Sequence, residues 1–571
     1  MLTRVRDWSG GIVDRGTQLQ RAIGAQSRLP AWLLICAGTL QLALVLFLTR
    51  GGWFTADPLY YITERGSIPE ADVGLFEPHR GHWLTLPFLI YRVLFPLFGL
   101  QHAWPYLLVS ILLHLTISAL LFWLLVCSGL SQNMSAFVVV PVLFAGAGAQ
   151  AFVADHPMPL VLSLALGLGA LFVLVRGECD RRSLLWASVL LLLAVMSSGV
   201  GLTVVCVAGA FVLSRRGLAP ALACTSPATL AFLVWFVATG HSFDRVQTRG
   251  SDYLQVPVYV WHGITSALED ASGVPDSGAL LLLILVIGLV VVTDIPGTLR
   301  DCAWAGLAGV GAQMTLSAIG GFQSGPEVTE QSRYSYIVLV LLAPTMAICL
   351  IGLRRASVAV LQPIASVMAM LVVAAFLLHA IDLERNEATE HVKWSQGLRD
   401  RVLGSVAALK DGERVLTSRP DGLDKTMNIS LLTGPRMEST LPREKASPAE
   451  RLEAEAEFFV GVGPKTFDLF APTSATSTSF NEMMLPGRGC PGYTSNTSEP
   501  EIVLTTGRGV EVAVDSDSTE VTTRLERGDD VSASRTWQVS ADQPIHVATS
   551  AKDARLVIEF NRGGHYIVCK R

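Results

Sequence analysis

Apolar runs long enough to cross a bilayer recur from Pro30 to about Ala380, and they constrain this chain more than any other feature. Crossing about 30 Å of hydrocarbon takes about 20 residues of helix. About eleven segments read as spans: 31–49, 104–126, 135–153, 158–175, 183–197, 199–214, 219–239, 278–293, 303–320, 335–353 and 357–380. In the 183–214 region, Ser197-Ser198-Gly199 either separates two short spans or kinks one long one. Composition agrees: 51% of residues are hydrophobic and 16% charged, unlike an ordinary soluble protein.

The distribution of charge sets the sidedness. Arg4, Arg6, Arg15, Arg21 and Arg28 precede the first span, and Arg176/Arg181/Arg182, Arg215/Arg216, Arg300 and Arg354/Arg355 sit in short loops. With eleven spans all of these fall on the side of the N-terminus, as the positive-inside rule requires. A twelve-span count, with 84–99 crossing, would put Arg181/Arg182 outside. Segment 84–99 is short, carries Arg92 and two prolines, and is expected to lie in the interface. No small-residue cleavage site follows the first apolar run, so it reads as a retained anchor. A net charge of −5 gives no reason to expect nucleic acid.

Three pieces are expected: a cytoplasmic lead, 1–29; a membrane module, 30–382, with a first outside loop at 50–103; and an extracytoplasmic C-terminal domain, 383–571. That domain opens with a charged helical stalk, about 384–411, and has a Glu/Ala-rich helix at 448–459. Strand-like runs follow at 501–506, 510–514, 520–525, 545–549, 556–560 and 566–569, which suggest a small β-sandwich within an α+β domain. The Ser/Thr/Gly/Pro-rich stretch 470–500 is expected to be irregular. Cys490 and Cys569 both fall outside, where oxidising conditions permit a bridge, although spacing does not show that they approach.

Chemistry concentrates in the outside loops. Trp53-Phe-Thr-Ala-Asp57-Pro-Leu-Tyr-Tyr61 is followed by Glu77-Pro-His79-Arg80-Gly-His82-Trp83. Among aromatic and apolar neighbours, the Asp57 carboxylate suits a base for an attacking hydroxyl; before Pro58 it equally suits the start of a turn. Arg80, with His79 and His82, presents donors suited to phosphate oxygens; beside Trp83 it equally suits a headgroup anchor. Other clustered ligands do not support His79 and His82 as a metal pair. Arg333-Tyr334 opens a span from the outside, against the usual charge bias, and fits either phosphate binding or a headgroup contact. Asp155-His156 forms a tight outer turn that lines a cavity or caps helices. Glu77, Glu64 and Asp72 are reserve carboxylates. His114, inside a span, is open between a structural bond and a site role.

The order of these features resembles the GT-C glycosyltransferases, with protein O-mannosyltransferases and related bacterial enzymes nearest. The resemblance covers roughly 30–380. It rests on Asp57 soon after span one, the interfacial segment from Arg80 to Arg92, Leu-Leu-His114-Leu in the next span, Asp155-His-Pro157, and Arg333-Tyr334 before a late span. Many members carry two adjacent acids in the first loop; here Pro58 follows Asp57. The resemblance implies transfer of a sugar from a polyprenyl-phosphate donor to an acceptor hydroxyl of an envelope glycan, lipid or protein, outside the cytoplasmic membrane. Asp57 would activate the hydroxyl, and Arg80 and Arg333, aided by His79 and His82, would hold the donor phosphate. Glu77, Asp155, His156 and Tyr334 would line the acceptor cavity. No cofactor is implied, and a divalent metal is left open. The competing classes are a flippase for a lipid-linked glycan, which needs charge along its spans, and a non-catalytic envelope scaffold, which would tolerate substitution of Asp57 and Arg80.

Overall fold

The computed structural model describes residues 29–63, 74–79, 81–154, 157–239, 252–322, 325–356 and 362–411. Beyond these it describes 432, 437, 439–443, 446–458, the strands between 460 and 570, and 528–529, 532–534 and 554. The chain divides into two compact units. One comprises 1–50, 76–87 and 106–391; the other comprises 51–75, 88–105 and 392–571.

The first unit is a helical bundle. Its apolar runs form α1 (Leu29–Leu48), α4 (Trp104–Cys127, entering the unit at Tyr106), α5 (Gln132–Leu143), α7 (Met158–Arg176), α8 (Arg181–Val195), α9 (Val200–Arg216), α10 (Leu218–Thr239), α12 (Gly278–Val291), α13 (Gly297–Gly321) and α14 (Ser332–Ala356). In chain order, α2 (Ala56–Thr63), α3 (Thr85–Phe98), α6 (Gln150–Val153) and α11 (Val256–Ser272) complete the helices up to α14. Among the described residues, six helices are long and apolar enough to cross a membrane: α1, α4, α7, α10, α13 and α14. The chain is a multi-pass membrane protein; the described residues do not confirm the expected count of eleven spans. Helices α5, α8 and α12 run 12, 15 and 14 residues, shorter than a typical crossing, and α9 with 17 is at its lower limit.

At two places the helices break for a physical reason. The expected span 135–153 stops at Leu143, turns through a short 3₁₀ piece at Gly146–Gly148, and resumes as α6. Pro141 and the two glycines explain the break. At Ser197-Ser198-Gly199 the chain separates α8 from α9 rather than kinking one long helix. Small residues let the helices approach: a Cβ on Gly306 of α13 would stand 2.1 Å from the Leu341 carbonyl of α14.

The basic loops meet at one end of this bundle. Arg216 donates to the Glu178 carbonyl at 3.2 and 2.6 Å. Arg215 reaches Asp301 at 3.5 Å, and Arg355 reaches Asp294 at 3.5 Å. Four arginine-bearing loops that are far apart in sequence are thereby tied together.

In the second unit, the expected stalk is not a separate helix. It continues the last apolar run as α15 (Gln362–Lys410), 49 residues long, whose part from Val392 onward belongs here. Helix α16 (Pro448–Phe458) opens with a reciprocal cap: Ser447 N–H donates to Glu450 Oε2 at 2.6 Å, and Glu450 N–H to Ser447 Oγ at 3.2 Å. Twelve strands follow among the described residues: β1 (Val460–Gly463), β2 (Thr476–Ser477), β3 (Asn481–Met484), β4 (Pro491–Thr494), β5 (Glu501–Thr505), β6 (Arg508–Val514), β7 (Thr519–Arg527), β8 (Asp530–Val531), β9 (Arg535–Val539), β10 (Ile545–Thr549), β11 (Arg555–Phe560) and β12 (His565–Lys570). They form two antiparallel sheets, ordered β1-β10-β6-β12-β4-β3 and β2-β5-β11-β7-β8, with β9 also on β7. Contrary to expectation, 470–500 contains three short strands, β2, β3 and β4. β2 and β4 take up edges of the longer β5 and β12, and β3 adds to β4, pairings that need little intrinsic β-propensity.

Candidate functional site

The segment after α1 packs in the second unit. The Trp53 indole donates to the Leu100 carbonyl at 2.8 Å, and its backbone N–H donates to Ser395 Oγ at 3.0 Å. These bonds fix the chain just before α2. Pro58 suits the first turn of that helix, where a missing N–H costs nothing. Asp57 therefore starts a helix rather than an isolated turn, at the end where the helix dipole favours a carboxylate. It is half-buried, whereas Trp53, Phe54, Leu59, Tyr60, Tyr61 and Ile62 around it in sequence are buried. The Tyr61 ring meets Phe88 and Tyr91 of α3 at centroid distances of 5.2 and 5.3 Å, so aromatic packing ties α2 to α3.

His79 and His82 belong to the first unit and come together there. Their backbones exchange hydrogen bonds of 3.1 and 2.9 Å in a tight bridge, with Gly81 at φ +78°. His79 is buried and His82 exposed, its imidazole lying against Gly199. Arg80 lies outside the described residues, as do Glu64, Asp72, Asp155, His156 and Cys490. Glu77 is exposed. Trp83 is not a lipid-facing anchor. It is buried and stacked on Trp235 at 5.3 Å with an interplanar angle of 4°, and it donates to Thr85 Oγ1 at 2.8 Å.

Arg333 lies in the first turn of α14, half-buried, and donates to Gln331 Oε1 with its guanidinium 5.4 Å from the Tyr334 ring centroid. Tyr334 is also half-buried. One turn along, Tyr336 Oη meets His114 Nδ1 at 2.7 Å, and His114 Nε2 meets the Leu143 carbonyl at 2.9 Å. The carbonyl accepts from Nε2–H, so Nδ1 accepts from the tyrosine. That is a neutral imidazole with both nitrogens used. Its ring stacks on Phe152 at 4.2 Å. His114 is thus a structural bond at the break between α5 and α6. The same break is fastened by Gln150 N–H donating to Ser332 Oγ at 3.2 Å. Gly148 is required there because a Cβ would stand 2.6 Å from that of Tyr336.

Of the candidate set, the structure brings His79 and His82 together. Asp57 belongs to the other unit from Arg333, His79, His82 and Glu77. Among the described residues, no three His, Cys, Asp or Glu side chains converge as metal ligands. Cys569 is on β12. Sequence reasoning missed one buried polar pair, Gln41 of α1 and Glu384 of α15, in the first unit. The Gln41 amide donates to Glu384 Oε1 at 2.9 Å, and both side chains are fully buried. Gln41, an amide inside an apolar run, was the signal available in the sequence.

No protein-family model matches the chain, and no curated protein matches its sequence. Solved structures do align. An oligosaccharyltransferase from Archaeoglobus fulgidus, tethered by a disulfide bond to an acceptor peptide containing the NVT sequon, aligns at 12% identity. The match covers 68% of this chain and 58% of that one, with a TM-score of 0.40. The same enzyme complexed with zinc and sulfate aligns at 12% identity over 73% and 58%, with a TM-score of 0.35. The arabinofuranosyltransferase AftD from mycobacteria aligns at 10% identity over 96% and 62%, with a TM-score of 0.38. This chain thus spans about three fifths of the length of each. Likeness at this level establishes neither a shared fold nor a shared activity.

Proposed function

We propose that the chain is a membrane glycosyltransferase that moves a sugar from a polyprenyl-phosphate donor to an acceptor hydroxyl outside the cytoplasmic membrane. The observation that carries the reading is Asp57: a half-buried carboxylate opening a short helix, just beyond the first span, within a run of buried aromatics. A base in such surroundings accepts the proton of the acceptor hydroxyl as that oxygen attacks the anomeric carbon. The bond from that carbon to the phosphate oxygen breaks, and polyprenyl phosphate leaves. Arg333, with Arg80, His79 and His82, stabilises the charge that develops on the leaving phosphate. Glu77, Asp155, His156 and Tyr334 shape the acceptor cavity. The joined basic loops support an orientation with those loops and the N-terminus cytoplasmic, the C-terminal domain outside, and Cys490 and Cys569 in an oxidising compartment.

Transport of a lipid-linked glycan is favoured by one observation, the buried Glu384, since transporters carry ionisable groups among their spans. Release of polyprenyl phosphate decides between the two. Purified protein is given a panel of polyprenyl-phosphate sugars and a cell-envelope acceptor, with Asp57→Asn as control. Donor-specific release that falls by about a hundredfold or more in Asp57→Asn supports transfer. Release unchanged in that variant removes Asp57 as base, and no release from any donor favours transport. Arg333→Ala is expected to weaken donor binding by about tenfold, read by displacement of a labelled polyprenyl phosphate.

A further inference from the structure

Helix α1 is held to its bundle by few residues. Of its 20 residues, Pro30, Gln41 and Val45 are buried. Gln41 sits well inside the apolar run, and its partner Glu384 lies on a buried stripe of α15 formed by Ala380, Glu384 and Ala388 at intervals of four. Ala380 backs directly onto the backbone of Gly146 at the α5–α6 break. The carboxyl is thus enclosed by α1, by small residues on its own helix and by protein backbone.

The donors and acceptors of the pair do not balance if Glu384 is ionised. One amide hydrogen of Gln41 goes to Glu384 Oε1. Gln41 Oε1 and Glu384 Oε2 are both buried and meet no donor among the described residues. Among the described residues no cation offsets a charge there. Helix α1, helix α5 and the 144–149 segment carry no charged side chain, and Cys36, the titratable group of α1, is exposed. On α15, Asp382 and Arg385 are exposed, and His379 contacts the Asp270 carbonyl at 2.9 Å. On α4, His114 is committed to Tyr336 and Leu143. An unpaired buried carboxylate is strongly unfavourable, whereas one proton supplies the missing donor.

We propose that Glu384 is a proton site inside the membrane unit: it is held as the neutral acid, its Oε2–H donating to Gln41 Oε1, and the resulting two-bond acid–amide pair fastens α1 to α15. This is independent of the glycosyltransferase reading. A glutamine at 384 presents an N–H where the acid presents its O–H, so it preserves the pair. Alanine removes it. The full-length protein in lipid nanodiscs is compared with Glu384→Gln, Glu384→Ala and Gln41→Leu. The wild type is expected to show the infrared carbonyl stretch of a protonated carboxyl at neutral pH, and that band is expected to be lost in Glu384→Gln. Glu384→Gln should unfold near the wild-type temperature, while Glu384→Ala and Gln41→Leu should unfold several degrees lower. No band in the wild-type minus Glu384→Gln difference spectrum overturns the proposal. So does a Glu384→Gln protein that misfolds or unfolds as early as Glu384→Ala. Unfolding that depends on sodium in the wild type but not in Glu384→Gln replaces the proton with a metal cation and overturns it equally.

Discussion

His114 shows how a polar residue in a span is absorbed by packing. Its two ring nitrogens meet one tyrosine hydroxyl and one carbonyl that the α5 break would otherwise leave exposed to a dry interior. His114→Ala opens a cavity and strips both partners, so it is expected to destabilise the fold by about 2–4 kcal/mol in a denaturation assay. A histidine whose role lay in chemistry alone would lower activity with little change in that assay. Asp57 behaves differently: it is half-buried, at a helix start, and its substitution is expected to be felt in turnover. The presence of both residues was plain in the sequence. Which of them was already used by the fold was not, because Tyr336 lies 222 residues from His114.

At the scale of elements, α16 is joined to β7 by charge. Glu455 is fully buried between Arg451 Nε at 2.7 Å and Arg527 Nη2 at 2.5 Å. Glu455→Ala removes the carboxylate that Arg451 and Arg527 share, while Arg451 keeps Asp411, and is expected to cost about 1–3 kcal/mol. Faster amide exchange in α16 and β7 would check this, and unchanged exchange would show the pair to be dispensable. The strands from 501 onward were legible because β-branched residues alternate between turn formers. The strands within 470–500 were not, since short edge strands exist through the partner they meet. The same limit explains α5. Pro141, Gly146 and Gly148 signal a break, but tertiary contacts with Tyr336 and Ala380 decide where the chain resumes.

For the whole molecule, the arginine-linked loops predict an orientation that labelling can check. In a background with Cys36, Cys206, Cys490 and Cys569 replaced, a cysteine at Ser534 is expected to react with an impermeant maleimide in intact cells. A cysteine at Arg182 should react only after permeabilisation; the reverse pattern would invert the topology. The sequence by itself determined that apolar helices recur from about residue 30 to 380, which loops carry basic charge, and that a β-rich region follows. These are properties of local composition and periodicity, legible over short windows. Tertiary structure alone decided that β12 lies between β6 and β4, that Trp83 stacks on Trp235, and that Gln41 meets Glu384 across 343 residues. Those pairings follow from the need of buried strand edges, indoles and carboxyls for partners, and local sequence states the need without naming the partner.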